Sequence, residues 1–113
     1  MALYNISGKQ EFEDKVLNND KLVLVDFWAG WCGPCLAMAP VLKDVAENHG
    51  DLMDIVKIDI EASVENQALA GEYDVRSIPN MPLFKGGKEI ERIIGMVPKA
   101  NLVDMATKLA KIG

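Results

Sequence analysis

Cys32 and Cys35 are the only cysteines in the chain and stand as Cys32-Gly33-Pro34-Cys35, close enough to interconvert between a dithiol and a disulfide. Before them runs Leu22-Val23-Leu24-Val25-Asp26-Phe27-Trp28, a β-rich apolar stretch that reads as a strand buried on both faces. After them Met38, Val41, Leu42 and Val45 recur at helical spacing, which predicts a helix from Pro34 to about Asn48, kinked at Pro40. The pair therefore sits where a strand ends and a helix begins. A helix N-terminus offers unpaired N–H groups and the positive end of a dipole, which stabilise a thiolate at Cys32 and lower its pKa. That thiolate is the attacking species in disulfide exchange. Cys35, one turn inside the helix and turned further from solvent, suits a resolving role. Pro34 presets φ for the first helical turn, and Gly33 lets a partner backbone come close.

Two ionisable residues interrupt otherwise apolar strands. Asp26 lies in the Leu22 to Trp28 run, where desolvation is expected to raise its pKa towards neutrality. A carboxylate so poised can accept the Cys35 proton through water. Lys57 falls inside a second apolar strand, Met53 to Ile60, and reads as the charge partner of Asp26. No metal is expected. A structural zinc site wants four Cys or His ligands, and the chain has two cysteines and one histidine, His49, leaving only a site shared between two chains. As a structural staple a disulfide across Gly33-Pro34 would close a trivial loop and constrain little of the unfolded chain.

These residues need a scaffold. Leu3 to Ile6 reads as a short first strand, and Ser7-Gly8-Lys9-Gln10 has the form of a capped start for a helix near 9 to 18. Val64 to Tyr73 reads as a helix capped by Ser63. Gly86-Gly87 between Leu83-Phe84 and Ile90 to Ile94 signals a hairpin, and Leu102, Met105, Ala106 and Leu109 mark a closing amphipathic helix. Strands alternating with helices, followed by a hairpin, predict an α/β architecture. Its three layers place a central mixed sheet of five strands, parallel and antiparallel, between four helices.

The stretch Val25-Asp26-Phe27-Trp28-Ala29-Gly30-Trp31-Cys32-Gly33-Pro34-Cys35 resembles the thioredoxin active-site signature. The resemblance continues through Ala39-Pro40, Lys57, Arg76-Ser77-Ile78-Pro79, Phe84-Lys85 and Gly95, nearly the whole chain. It implies a thioredoxin fold and a protein-disulfide reductase with no bound cofactor beyond its own Cys32–Cys35 disulfide. Cys32 would attack a client disulfide to give a mixed disulfide, and Cys35 would resolve it. The implied partners are a thioredoxin reductase and oxidised client proteins. Pro79 aligns with the family's cis-proline. Trp31, Ile78, Pro79, Gly95 and Met96 would then form an apolar docking surface around the exposed Cys32 sulfur, with the Ile78 backbone pairing to an extended client segment.

Four departures from the family pattern stand out. Leu36 replaces a common lysine or arginine after Cys35. Pro82 falls in an expected strand, which is therefore predicted to begin late or to bulge there. The Glu61 to Tyr73 segment lacks the family's usual acidic-x-asparagine-proline turn, and Pro98 stands where a serine or threonine often caps the last helix. None touches either cysteine.

With 113 residues, half of them hydrophobic and 26% charged, the chain is expected to form one domain over 1–113. A net charge of −5 argues against binding to nucleic acid or to anionic membranes, both of which need basic patches. Met1 to Asn5 lacks the features of a secretory signal, so the expected setting is the cytoplasm. The chain is expected to be a monomer. The competing reading is a binding subunit of a larger assembly, built on the same fold, with incidental redox activity.

Overall fold

The computed structural model describes residues 2–112. Leu22 to Trp28 forms strand β2 (Leu22–Trp28), and six of its seven residues are buried. Its branched and aromatic side chains suit a pleated surface covered on both sides. It lies at the centre of a five-stranded sheet of order β1-β3-β2-β4-β5. The flanking strands are β1 (Leu3–Asn5), β3 (Met53–Asp59), β4 (Asn80–Lys85) and β5 (Lys88–Ile94). The β1, β3 and β2 strands run parallel, whereas β4 pairs antiparallel with both β2 and β5. The sheet is mixed and carries helices on both faces.

Strand alternation divides the core. Leu22 and Leu24 of β2 with Met53 and Ile55 of β3 pack against Met38, Leu42 and Val45 of helix α2 (Gly33–Asn48) and Leu102 and Ala106 of helix α4 (Lys99–Leu109). Val23, Val25 and Phe27 with Val56 and Ile58 pack on the other face. There they meet Phe12 of helix α1 (Lys9–Phe12), Val16 of the π-helical turn Glu13–Leu17 that continues it, and Leu69 of helix α3 (Val64–Glu72). By the same parity Asp26 and Trp28 point to the α2 side. Lys57 does too, since it is the register partner of Asp26 across the β2–β3 ladder.

Two expectations need correction. Ser7 does not cap the first helix: Gly8 is the N-cap, with φ at 91° and no side-chain cap bond. Its amide donates to Asn66 Oδ1 of α3 at 2.9 Å, and an added Cβ would meet Glu65 Oε2 at 3.0 Å. The helix start is set by packing on α3, while Glu11 accepts from the Ser7 amide at 2.8 Å. Strand β4 does not begin after Pro82 but at Asn80, and the register shift in the β4–β5 ladder falls one residue beyond the proline, between Leu83 and Phe84. Pro82 sits in an interior strand, paired with Arg92 of β5. On the β2 side the ladder is formed at Phe27–Asn80, Leu24–Leu83 and Val23–Phe84, and lapses opposite Val25, where a proline has no N–H to donate.

Ser63 caps α3, accepting from the Asn66 amide at 3.0 Å. Pro98 stands at the N-cap of α4 without a side-chain bond. No helix among the described residues is long and apolar enough to cross a membrane.

Candidate active site

The strand β2 ends at Trp28, and a short turn delivers Cys32 to the N-cap of α2. The Leu36 amide donates to the Cys32 carbonyl at 3.0 Å, closing the first turn, and the Cys35 amide donates to Cys32 Sγ at 3.2 Å. One of the helix's unpaired N–H groups is thus aimed at the sulfur that must carry negative charge. Gly33 and Pro34 occupy the exposed start of the helix between the two cysteines. Cys32 and Cys35 are joined as a disulfide with their Cα atoms 5.2 Å apart.

The expected contrast in exposure between the cysteines is small. Cys32 is 4% exposed and Cys35 2%. The Ile78 carbonyl oxygen, 46 residues away, lies 3.6 Å from Cys32 Sγ and helps cover it; the Ile78–Pro79 peptide is cis. Pro79 is itself buried, and its carbonyl accepts from the Gly95 amide at 2.8 Å. Gly95 holds φ at +89°, a backbone conformation glycine tolerates and side chains disfavour. Around this covered sulfur Trp31 and Met96 are exposed, while Ile78 and Gly95 are half-buried. A groove of about 340 Å³ runs beside them, lined by Trp31, Ile60, Ala70, Val75, Ile78 and one charged residue, Arg76. Sequence reasoning missed Ile60, Ala70 and Val75, which belong to elements distant in the chain. A wider hollow of about 570 Å³ along α4 touches neither cysteine and has no bearing on their chemistry.

On the α2 side of the sheet, two residues before the end of β2, Asp26 is 1% exposed and its Oδ1 has no hydrogen-bond partner among the described residues. Burial pushes its pKa from 3.8 up to about 6, against the opposing pull of the Lys57 charge. Lys57 forms no close ion pair with it. Its ammonium lies 4.9 Å from the centroid of the Trp28 ring, a cation–π contact, at the edge of a hollow of about 270 Å³ lined with Ala39, Pro40 and Lys43. A lysine stem laid along apolar surface with its charge towards an opening avoids full desolvation. Trp28 therefore contributes more than packing. The β2 alternation that puts residues 26 and 28 on one face was the available signal. The buried Trp28 indole N–H also lacks a hydrogen-bond partner among the described residues.

A redox pair that caps the helix following a central strand, with a buried carboxylate on that strand, defines a thiol-disulfide oxidoreductase whose redox group is part of the chain. The thioredoxin family model matches residues 4–108. The chain is 42% identical to a thioredoxin of Pyropia yezoensis over 97 residues, 86% of this chain and 88% of that one. It is 39% identical to a thioredoxin of Staphylococcus epidermidis over 108 residues, 96% and 98% of the two chains. The solved structure of a mutant thioredoxin from Halobacterium salinarum superposes with a TM-score of 0.86 at 34% identity, covering 98% of this chain and 93% of that one. This chain belongs to the thioredoxin family. Among the described residues no group of three or more His, Cys, Asp or Glu side chains could hold a metal.

Proposed function

We propose that this chain works as a single-domain protein-disulfide reductase in which Cys32 is the nucleophile, Cys35 the resolving thiol and Asp26 the proton acceptor. The observation that carries this reading is the Cys35 amide aimed at Cys32 Sγ from the first turn of α2. In the reduced chain the Cys32 thiolate attacks one sulfur of a client disulfide, forming the mixed disulfide and expelling the other client sulfur as a thiolate. Asp26 takes the Cys35 proton through water, and the Cys35 thiolate attacks Cys32 Sγ. The second client sulfur leaves, and the Cys32–Cys35 disulfide remains. Two electrons pass to the client, which gains two protons.

Lys57 opposes the effect of burial on Asp26 and so keeps part of the carboxylate ionised near neutrality. Trp31, Ile78, Pro79, Gly95 and Met96 receive the client segment, with the Ile78 backbone as the pairing edge. A thioredoxin reductase returns the disulfide to the dithiol, and the working compartment is one that keeps thiols reduced, here the cytoplasm. The monomer is favoured by the charged edge strand β5, where Lys88, Glu89, Glu91 and Arg92 disfavour strand-to-strand association.

Reduction of insulin disulfides with dithiothreitol as electron source tests the assignment. Cys32→Ser is expected to fall to the rate of dithiothreitol alone, whereas Cys35→Ser accumulates a mixed disulfide with its client. A parent rate no higher than that of Cys32→Ser would sink the reading, and an untrapped Cys35→Ser variant would reverse the two roles.

A further inference from the structure

The three segments that meet at the disulfide contain no charged residue: Phe27 to Leu42, Ser77 to Phe84, and Ile93 to Pro98. Of the cations bordering them, Arg92 pairs with Glu89 and Lys99 with Asp44, while Arg76 lines the groove beside Trp31 and Ile78 and pairs with Asp74 at the exposed surface, away from the α2 turn that carries Leu36. Six large hydrophobic side chains are exposed among the described residues, and four of them, Trp31, Leu36, Ile94 and Met96, belong to these segments. Ile94 pairs with Asn80, and Asn80 with Phe27, so the end of β5 lies at the same end of the sheet as the start of α2.

Leu36 is 52% exposed. It follows Cys32 by four residues, one helical turn, and side chains on a helix lean towards its N-terminus, so Leu36 stands on the face below Cys32. A client whose sulfur reaches Cys32 must lay the residues beside its own cysteine against this face. An ionic flank laid on Leu36 would lose hydration against a stretch, Phe27 to Leu42, that has no charge to replace it, and an aliphatic flank would bury the exposed half of Leu36.

Building on the reductase reading, we propose that Leu36 is a specificity-determining residue that selects clients with an aliphatic or aromatic residue beside the reactive disulfide, by apolar and not ionic contact. The occupant of this face is an extended polypeptide with an apolar flank. Its rate of reduction is insensitive to salt.

The test uses the reduced full chain and two synthetic peptides, each closed by one disulfide and identical except for leucine or glutamate beside the cystine. Second-order rate constants are read by acid quench and chromatography. The parent is expected to reduce the leucine peptide about fivefold faster, the effect of burying half a leucine side chain, and to keep that ratio from about 0.05 to about 0.5 M salt. Leu36→Lys brings the ratio near one, and Leu36→Met preserves it. Oxidised 2-mercaptoethanol, which has no flanking side chains, reports any change in Cys32 itself, and each variant's peptide rates are divided by its rate on this small disulfide. Equal parent rates on the two peptides, or a ratio that collapses at high salt, would overturn the proposal. So would a Leu36→Lys variant that slows the small disulfide as much as the leucine peptide, because Leu36 would then be tuning Cys32 and not selecting clients. A parent that reduces none of the three substrates defeats the reductase reading instead, a distinguishable failure.

Discussion

Two aspartates lie buried at opposite ends of the sheet, and their surroundings differ in kind. Asp54, near the start of β3, accepts from Lys21 Nζ at 2.9 Å and from Asn19 Nδ2 at 2.8 Å, and is 8% exposed. Asp26, near the end of β2, is 1% exposed and leaves Oδ1 without a partner among the described residues. Burying a carboxylate is unfavourable unless hydrogen bonds and counter-charges replace the lost water. At Asp54 the chain supplies both, with side chains from the loop before β2. At Asp26 it supplies only a lysine turned towards Trp28. One carboxylate is fully partnered, and the other has its pKa raised by burial.

Removing the charge at Asp26 is the strongest way to break the comparison. A pKa displaced from 3.8 to about 6 corresponds to about 3 kcal/mol of differential stability. The native state binds more protons than the unfolded chain between these values, so stability falls as pH rises through that window and the penalty is fully present above about pH 6. Asp26→Asn should therefore be more stable than the parent by about 3 kcal/mol at pH 7, the gain shrinking to nothing near pH 4. Urea unfolding across this range measures it, and a gain independent of pH would show that packing, not ionisation, is responsible. If Asp26 accepts the Cys35 proton, mixed-disulfide resolution by the parent is expected to rise as pH passes about 6, and the same variant should lose that rise.

Asp54→Ala should move the other way. Asn19 and Lys21 each lose an acceptor, although Lys21 keeps the Gly50 carbonyl at 2.8 Å. A loss of about 1–2 kcal/mol is expected at pH 7, with disulfide reduction by the folded protein unchanged. Urea unfolding and the insulin assay check the two halves of that statement. A change in turnover would mean that the two ends of the sheet are coupled.

Much of this contrast is legible in the chain itself. The β2 strand is bounded as its apolar run suggests, the Asp26 interruption is visible, and residues 26 and 28 share a face by simple alternation. What sequence reasoning placed wrongly depends on distant contacts. The capping pattern at Ser7 looked complete because Asn66, which receives the Gly8 amide, lies 58 residues away. The family resemblance put the Ile78 backbone at Cys32, where its carbonyl does lie, but the residues around Cys32-Gly33-Pro34-Cys35 give no sign that the sulfur would be covered to 4% exposure. Pro82 conflicts with a rule that places proline at sheet edges, yet an interior strand tolerates it where one neighbouring ladder lapses.

Lys57 offers the finest test of how Asp26 is held. Its register places it opposite Asp26, but its ammonium rests over Trp28, so it acts on the carboxylate through space and as the smaller of two opposed influences. Lys57→Met removes the charge and keeps the apolar stem, leaving burial unopposed. The Asp26 pKa should then rise beyond about 6, and Asp26 would be less ionised at pH 7. Carbon-13 chemical shifts of the Asp26 carboxyl followed against pH would read this directly. The pH at which mixed-disulfide resolution accelerates should move upward with it. Lys57→Arg keeps a cation that can lie over the indole, so its midpoint should stay close to that of the parent. An unmoved midpoint in Lys57→Met would mean that Lys57 serves Trp28 alone, and that burial by itself sets the proton affinity of the carboxylate.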